Sequence, residues 1–221
     1  MKIFILGDTH TRHDEIVVPE GIDMLIHVGD FADAKRPVDN IQEVGRFVEW
    51  LYSLDIQHKV VICGNHDTSV VPYGLKQDFT NTHVHLLMHD VITIAGIKIF
   101  GSPYTPTYGH NWAFNMKRNK LDRIWKQIPD DVDIIITHGP PKGVLDLTTE
   151  KDGTLVRVGC QALMNHVQRV KPKLHCFGHV HSEEGIYNRG TFRTDDITYI
   201  NASCYHNRTK EIQPGIVYDY E

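Results

Sequence analysis

The sequence predicts an α/β protein built on mixed β-sheets. Short apolar runs without period-2 alternation, such as residues 2–6 and 23–28, indicate strands covered on both faces. Apolar residues spaced three to four apart indicate helices between some strands, and a tight turn at Ala95-Gly96 indicates an antiparallel hairpin. No run rich in Pro, Gly, Ser or charge divides the chain, so we expect a single domain over residues 1–221.

The N-terminal part of the chain predicts the order strand, strand, helix, strand. The two strands named above are each followed by a polar loop. The helix is predicted over residues 37–54, because its apolar residues keep helical spacing and Pro37 suits a first helical turn. The third strand covers residues 59–63 and stops at Gly64, where the chain becomes polar. Strands of this kind place their polar carboxyl ends at one edge of a sheet.

The rest of the chain predicts shorter strands, two more helices and two loops. Residues 101–116 are expected to form a long loop rich in aromatic residues, and residues 148–154 a polar loop. The predicted elements, in order, are a strand at 82–87, a hairpin of 91–94 and 97–100, a helix at 117–128, a strand at 133–136, a helix at 159–170, a strand at 173–177, and closing strands at 197–202 and 215–218.

Composition and charge narrow the classes of function. Hydrophobic content of 41% and charged content of 23% are typical of a globular protein in water. The net charge of −5 argues against an extended nucleic-acid partner, and no apolar run is long enough to cross a membrane. The chain opens directly on a strand pattern, without the features of a signal peptide, so we expect a cytoplasmic protein. The four cysteines lack C-x-x-C spacing and are expected to be reduced core thiols.

Five predicted strands end at a junction that carries metal or acid–base chemistry. One junction of this kind is weak evidence, but five in order indicate one site built from several strand ends. Oxygen and imidazole ligands without thiolates suit divalent Mn, Fe, Zn or Co. There are more candidate ligand residues than one four-coordinate metal ion can bind, so we expect two metal ions that share a carboxylate. The residues are Asp8, His10, Asp30, Asn65, His66, His138, His179 and His181.

These junctions together resemble the calcineurin-like metallophosphoesterase superfamily. The resemblance covers residues 8–181 and rests on Asp8-x-His10, Gly29-Asp30, Gly64-Asn65-His66-Asp67, His138 and Gly178-His179-x-His181. Further segments resemble its MPPED-type (metallophosphoesterase-domain-containing) branch. They are Gly101-Ser102-Pro103, Trp112-x-Phe114-Asn115, Thr137-His138-Gly139-Pro140-Pro141, the stretch from Arg169 to His175, and Asn201-Ala202-Ser203.

The resemblance implies a fold and a role for each matching residue. The fold would be a four-layer α/β/β/α sandwich, with two mixed sheets inside and helices outside. His66 would be catalytic, and Asp67, which stands where this branch often has Glu, would support it. Two divalent ions are implied, Mn²⁺ first, with Fe, Zn, Co or Ni as alternatives. The first would be held by Asp8, His10, Asp30 and His181, and the second by the bridging Asp30 with Asn65, His138 and His179.

The expected reaction is hydrolysis of a phosphate ester. Two divalent ions bring about +4, while Asp8, Asp30 and a shared hydroxide return about −3, which leaves a site that attracts phosphate. The hydroxide would attack phosphorus in line, and His66 would donate a proton to the leaving oxygen. Small phosphodiesters, cyclic nucleotides among them, are the favoured substrates. A phosphomonoesterase or protein phosphatase of the same fold, or a metal-binding scaffold without activity, are the alternatives.

Substrate contacts are expected near the first junction and in the long aromatic loop. Arg12 follows Asp8-x-His10 and is a candidate to grip a phosphate oxygen, although an ordinary surface arginine fits equally well. Tyr104 and Asn111 are candidates for the wall of the site. Tyr108 and Trp112 share that loop, and packing within the loop is the favoured role for Trp112. The sequence leaves the oligomeric state open.

Overall fold

The computed structural model describes residues 1–79, 83–110 and 112–221 of the chain. Within them the chain forms three α-helices and fifteen strands. The helices are α1 (Pro37–Ser53), α2 (Arg118–Trp125) and α3 (Gln161–Val170). The strands, numbered in chain order from β1 to β15, are Lys2–Leu6, Met24–His27, His58–Ile62, Val84–Leu87, Asp90–Ile94, Ile97–Ser102, Thr105–Pro106, Asn115–Met116, Ile134–Thr137, Leu147–Thr149, Leu155–Arg157, Leu174–Phe177, Gly190–Arg193, Thr198–Asn201 and Ile216–Asp219.

Two large sheets carry the fold, and both are mixed. The first has the order β15-β1-β2-β3-β4, in which β15 alone is antiparallel to its neighbour. The second has the order β13-β14-β12-β9-β6-β5, with antiparallel strands at both edges and four parallel strands between them. The parallel strands of each sheet therefore end on one side, where polar loops can meet.

The layers are held together by three apolar cores. Alternate residues of β1 point to opposite faces, so Ile3 and Ile5 join the core between the two sheets while Phe4 and Leu6 face α1. Helices α2 and α3 cover the second sheet through Trp125 and other apolar residues of a third core. The result is an α/β/β/α sandwich, which confirms the predicted fold class. It also explains why the central strands are apolar on both faces.

Most predicted elements are present, and the errors lie at the periphery. The hairpin of β5 and β6 has its turn at Ala95 and Gly96, both with left-handed backbone, φ 49° and 82°. The predicted polar loop at 148–154 is confirmed for residues 150–154, but its first two residues belong to strand β10, which pairs with β11 in a small hairpin that was not predicted. Strand β13 was not predicted. The predicted strand at 82–87 begins on a residue outside the described part of the chain, and β4 begins at Val84. Strands β10, β11 and β13, which were not predicted, are half-buried or exposed, and no apolar pattern marks them.

The state of the cysteines and the length of the helices can be compared with the composition. The side chains of Cys63, Cys160, Cys176 and Cys204 are buried and form no disulfide. In the described part of the chain, no helix combines the length and apolar character that crossing a bilayer requires.

Candidate active site

The loops that follow β1, β2, β3, β9 and β12 meet where the carboxyl ends of the two sheets approach each other. Backbone hydrogen bonds hold them in place: the Asp8 N–H donates to the Gly29 carbonyl at 2.8 Å, and the Gly178 N–H donates to the His138 carbonyl at 2.9 Å. Four predicted site residues have left-handed backbone, which side-chain-bearing residues rarely adopt. They are Asp8, His10, Asp30 and His179, with φ of 51°, 43°, 54° and 67°. Such strain persists only where surrounding contacts impose it, as in functional sites.

Two glycines make the close approach of these loops possible. A Cβ atom on Gly64 would collide with the Asp30 carboxylate and would lie 2.5 Å from the His138 ring. A Cβ atom on Gly178 would collide with the carboxylate of Asp8. The motif glycines are therefore required because backbone and ligand-type side chains occupy the same space.

Asp8, His10 and His181 form the first group of candidate ligands, with ligating atoms all within 4.8 Å of one another. The His181 Nε2 atom lies 3.4 Å from Asp8 Oδ1 and 3.5 Å from His10 Nε2. The His181 Nδ1–H donates to Asn207 Oδ1 at 2.8 Å. Because Nδ1 is engaged in that bond, Nε2 is the nitrogen directed into the group.

Asp30, His138 and His179 form the second group, again with ligating atoms within 4.8 Å of one another. The His138 Nδ1–H donates to the Val28 carbonyl at 3.0 Å, which turns Nε2 toward the group. That Nε2 lies 2.9 Å from Asn65 Oδ1 and 3.4 Å from Asp30 Oδ2. Three electron-pair donors therefore converge in a buried place, which suits a cation.

The electrostatics of the buried groups are those of a cation site. Burial opposes ionisation of Asp8, but the hydrogen bond and charge of His181 outweigh it and lower the pKa of Asp8 to about 2. Burial likewise opposes protonation of His138, but the Asp30 carboxylate prevails and raises the pKa of His138 to about 9. The pKa of Asp30 falls well below its usual value for the complementary reason, since His138 stabilises its charge. A proton on His138 thus occupies the place that a divalent ion would take.

His66 lies beside both groups and is partly exposed. Its backbone N–H donates to Asp30 Oδ1 at 2.7 Å, and its ring Nδ1 lies 3.0 Å from Asp33 Oδ1. Asp33 Oδ1 is also 3.3 Å from His10 Nδ1. Burial lowers the pKa of His66, but the contact with Asp33 and the charge of Asp30 outweigh it and raise that pKa. Asp33 was not predicted; its only sequence signal is its place three residues after Asp30 in the same loop.

The structure corrects the predicted pairing of Asp67 with His66. The Asp67 carboxylate is fully buried and accepts hydrogen bonds from three backbone N–H groups instead. These are the N–H groups of Gly64 at 2.6 Å, Ala32 at 2.9 Å and Asp30 at 3.0 Å. Burial raises the pKa of Asp67 to about 8, and these bonds oppose the rise. Asp67 therefore ties together the loops after β2 and β3, while Asp33 supplies the carboxylate nearest the ring.

Two of the three predicted substrate residues have other contacts in the structure. Arg12 donates from Nε and Nη2 to the two carboxylate oxygens of Glu15, at 2.6 Å each, and from Nη1 to the Lys210 carbonyl. Three of its five N–H donors are thus engaged within the protein, and the role of Arg12 in gripping a phosphate oxygen stays a prediction. Tyr104 packs against the core beneath α2 and α3 and not at the site. The third predicted residue, Asn111, lies outside the described residues.

Two other aromatic residues of the same loop reach the site. The Tyr108 side chain is 68% exposed and its ring lies 5.9 Å from that of His179, edge to face. The indole of Trp112 stacks on the His66 ring, with centroids 4.0 Å apart and planes inclined by 28°. Packing within the loop was the favoured role for Trp112 and did not anticipate this contact, since sequence spacing does not show which side chains of a long loop fold inward.

The structure thus brings together the seven predicted ligand residues and His66, whose roles remain predictions. They reach the site from five loops that are far apart in sequence and adjacent at the sheet edges. The histidines outside the five junctions contribute no ligand atom to the two groups described above.

Comparisons with known proteins point to one family. The sequence matches the family model described as Calcineurin-like phosphoesterase over residues 1–183. It is similar to Metallophosphoesterase domain-containing protein 1 of Homo sapiens, with 39% identity over 243 residues that cover 99% of this chain and 70% of that protein. A UPF0046 protein of Caenorhabditis elegans is 32% identical over 234 residues, which cover 99% of this chain and 75% of that protein. One solved structure superposes with a TM-score of 0.69 and 15% identity, over 90% of this chain and 89% of that one, and supports the fold alone.

Proposed function

Since the chain belongs to the calcineurin-like phosphoesterase family, and is thus a metal-dependent phosphoester hydrolase, we propose that it hydrolyses small phosphodiesters. One observation supports the proposal most: two groups of candidate ligand atoms, built on the buried Asp8, Asp30 and His138, lie near an imidazole that a carboxylate contacts. The first feature suits a pair of divalent ions, and the second suits a proton donor to a leaving group.

The residues present fit two divalent ions. The chemistry of the donor set and the buried carboxylates Asp8 and Asp30 support this assignment. When bound, the ions supply positive charge to the phosphate and lower the pKa of water. Mn²⁺ is the first choice, and Fe, Zn, Co or Ni are alternatives with the same ligands. We assign Asp8, His10, Asp30 and His181 to one ion, and Asp30, Asn65, His138 and His179 to the other.

We assign His66 as the residue that donates a proton to the leaving group. Hydrolysis replaces the ester oxygen on phosphorus by a water oxygen, and the departing alkoxide needs a proton. Asp33 lies at Nδ1 of His66, so Nε2 is the nitrogen left to donate that proton. The proton is kept there because Asp33 and Asp30 raise the pKa of His66. Asp30 also binds the His66 backbone N–H, which fixes the donor relative to the ligand groups.

A second ester substituent has an exposed aromatic surface to contact, which supports a diester over a monoester. The Tyr108 ring is exposed beside His179, whereas the indole of Trp112 is stacked on His66. A phosphomonoester has only a leaving group and would leave the Tyr108 surface without a contact. Cyclic nucleotides are the first substrates to test, because both ester oxygens of the diester belong to one small ribose.

Hydrolysis assays with added Mn²⁺ test the proposal. We expect turnover of bis-p-nitrophenyl phosphate and of 2′,3′- or 3′,5′-cyclic nucleotides, with a lower kcat/KM for p-nitrophenyl phosphate. A preference for the monoester would favour the alternative of a phosphomonoesterase or protein phosphatase. Elemental analysis should find up to two ions per chain. A chain that binds no divalent ion and hydrolyses neither ester would be a scaffold, and the proposal would be wrong.

A further inference from the structure

The indole of Trp112 stacks on the His66 ring, whereas the ring contacts of the ligand histidines are edge to face. The centroids of the Trp112 and His66 rings are 4.0 Å apart and their planes are inclined by 28°, which is face-to-face contact. The His66 side chain is 20% exposed, so part of its surface is not held by the protein core. The indole thus lies against one face of the imidazole, while the ring of His10 meets it edge to face at 4.7 Å.

Trp112 is itself tied to the loop that bears His66. The N–H of Ala113, the next residue, donates to the carbonyl of Asn65 at 3.0 Å. The carbonyl of Phe114 accepts from the Thr105 N–H at 3.2 Å, which fixes the far side of the same segment. The Lys35 ammonium lies over the indole, 4.8 Å from its centroid, within the range of a cation–π contact. The indole is therefore part of the frame around Asn65 and His66.

The contacts on His66 restrict different motions of its ring. The Asp33 carboxylate, 3.0 Å from Nδ1, favours one position of that ring nitrogen. The indole on the ring face limits rotation of the ring plane about the Cβ–Cγ bond, which adds to the restraint at Nδ1. Together they set the direction of Nε2. Proton transfer depends on that direction, because misplacement of a catalytic group by about 1 Å can cost about 100-fold in rate.

We propose that Trp112 is a positioning residue that aims the His66 imidazole at the leaving-group oxygen. The inference rests on the proposed function for the chemistry of the leaving group. It predicts an effect that grows as the leaving group becomes a poorer one. An indole that only formed a wall for the substrate would instead change KM, or change the hydrolysis of good and poor leaving groups alike.

The kinetic test compares Trp112→Ala with Trp112→Phe on two diaryl esters of similar size. Diphenyl phosphate releases a phenolate that needs a proton, whereas bis-p-nitrophenyl phosphate releases a stable anion. We expect Trp112→Ala to lower kcat about tenfold or more on diphenyl phosphate, with little change on the nitrophenyl ester and in KM. Trp112→Phe keeps a ring on His66 and should restore most of the loss. Equal losses on both esters, or a change in KM alone, would overturn the proposal.

Tyr108→Ala is the matched control from the same loop, because its ring lies beside His179 and not His66. It should not produce a loss that depends on the leaving group. If it produces the same pattern as Trp112→Ala, the effect belongs to the loop as a whole, and the specific role of Trp112 is refuted.

A second readout does not depend on turnover. In histidine-labelled protein without a paramagnetic ion, the indole ring current should move the His66 ring-proton resonances, identified by their absence in His66→Gln. Trp112→Ala should abolish that displacement. Resonances that stay where they are in Trp112→Ala would refute the stacking. If the wild type hydrolyses neither ester with any divalent ion, the proposed function fails, and this spectrum still decides whether the indole holds the ring.

Discussion

The floor and the rim of the site are held in different ways. At the floor, Asp8, Asp30, Asn65 and His138 are no more than 2% exposed. At the rim, the side chain of His66 is 20% exposed and that of Asp33 is 58% exposed. The floor residues lie one to three residues after a strand of the two sheets, whereas His66 and Asp33 at the rim lie four and six residues after one.

The difference lies in which groups hold each side chain. Floor residues are fixed through backbone atoms: Asp8 accepts from the His179 N–H, Asp30 from the His66 N–H, and His138 donates to the Val28 carbonyl. Rim residues are held by other side chains, as His66 is by Asp33 and Trp112. We therefore expect changes at the floor to remove metal and all activity, and changes at the rim to alter proton transfer while the metal stays.

The largest expected effect is that of Asp30→Asn at the floor. The substitution removes a buried negative charge that we assign to both ions, so the affinity for metal and the activity should fall together. The loss of activity should reach about 1,000-fold or more, since it removes several kcal/mol of charge stabilisation. Elemental analysis and hydrolysis of bis-p-nitrophenyl phosphate measure both. A variant that still holds two ions would contradict the assignment of Asp30 as a shared ligand.

The next largest effect is that of His66→Gln at the rim. Loss of the proton donor should lower kcat about 100-fold or more on alkyl esters and much less on nitrophenyl esters, whose leaving group needs no proton. The metal content should equal that of the wild type, which separates this variant from Asp30→Asn. Equal losses on both kinds of ester would rule out His66 as the general acid.

A stability measurement tests the protonation state of buried His175, which contacts the chain neighbour of the floor residue His138. Burial lowers the pKa of His175, whose Nε2 lies 2.9 Å from Thr137 Oγ1 next to His138, to about 3. An unfolded histidine binds a proton near pH 6.5, so this group stabilises the fold fully above pH 6.5 and loses that contribution as the pH falls toward 3. At pH 5 the loss is about 2 kcal/mol.

The variant His175→Gln isolates that contribution. Urea unfolding in the presence of a chelator, at pH 7.5 and at pH 5, gives the free energy of unfolding of variant and wild type. From pH 7.5 to pH 5, the free energy of unfolding of the wild type should fall by about 2 kcal/mol more than that of the variant. The exposed His110 provides the matched control, since His110→Gln should leave the gap unchanged. A gap that does not depend on pH would contradict a neutral His175 in the folded protein.

The smallest effect is expected for Asp33→Asn at the rim. Burial opposes protonation of His66 and Asp33 favours it, so removal of the Asp33 charge should lower the pKa of His66. The proposed donor must be protonated, so the alkaline limb of the kcat profile should move to lower pH. At pH 8 we expect about a tenfold loss on an alkyl ester. The assay is run at saturating metal, because Asp33 also contacts the assigned ligand His10. A limb that moves to higher pH would contradict the pairing.

Much of the fold and the floor of the site could be predicted from the sequence. The central strands are marked by apolar residues on both faces, and each floor residue stands within three residues of the end of such a strand. Parallel strands bring their carboxyl ends to one edge of a sheet, so a residue that follows such a strand can be placed at that edge from the sequence. The short peripheral strands carried no such pattern, and the hairpin of β10 and β11 was missed for that reason.

The residue pattern predicts an α/β fold with mixed sheets and the residues that meet at the sheet edges, and the family resemblance adds the arrangement in two sheets. Which side chains face each other at the rim is set by the tertiary structure. It paired His66 with Asp33 and placed Trp112 on the ring, while the donors of Arg12 went to Glu15. The physical reason is that a strand end is fixed by the regular geometry of its sheet, whereas a loop side chain is fixed by contacts from elements distant in sequence, which spacing does not encode.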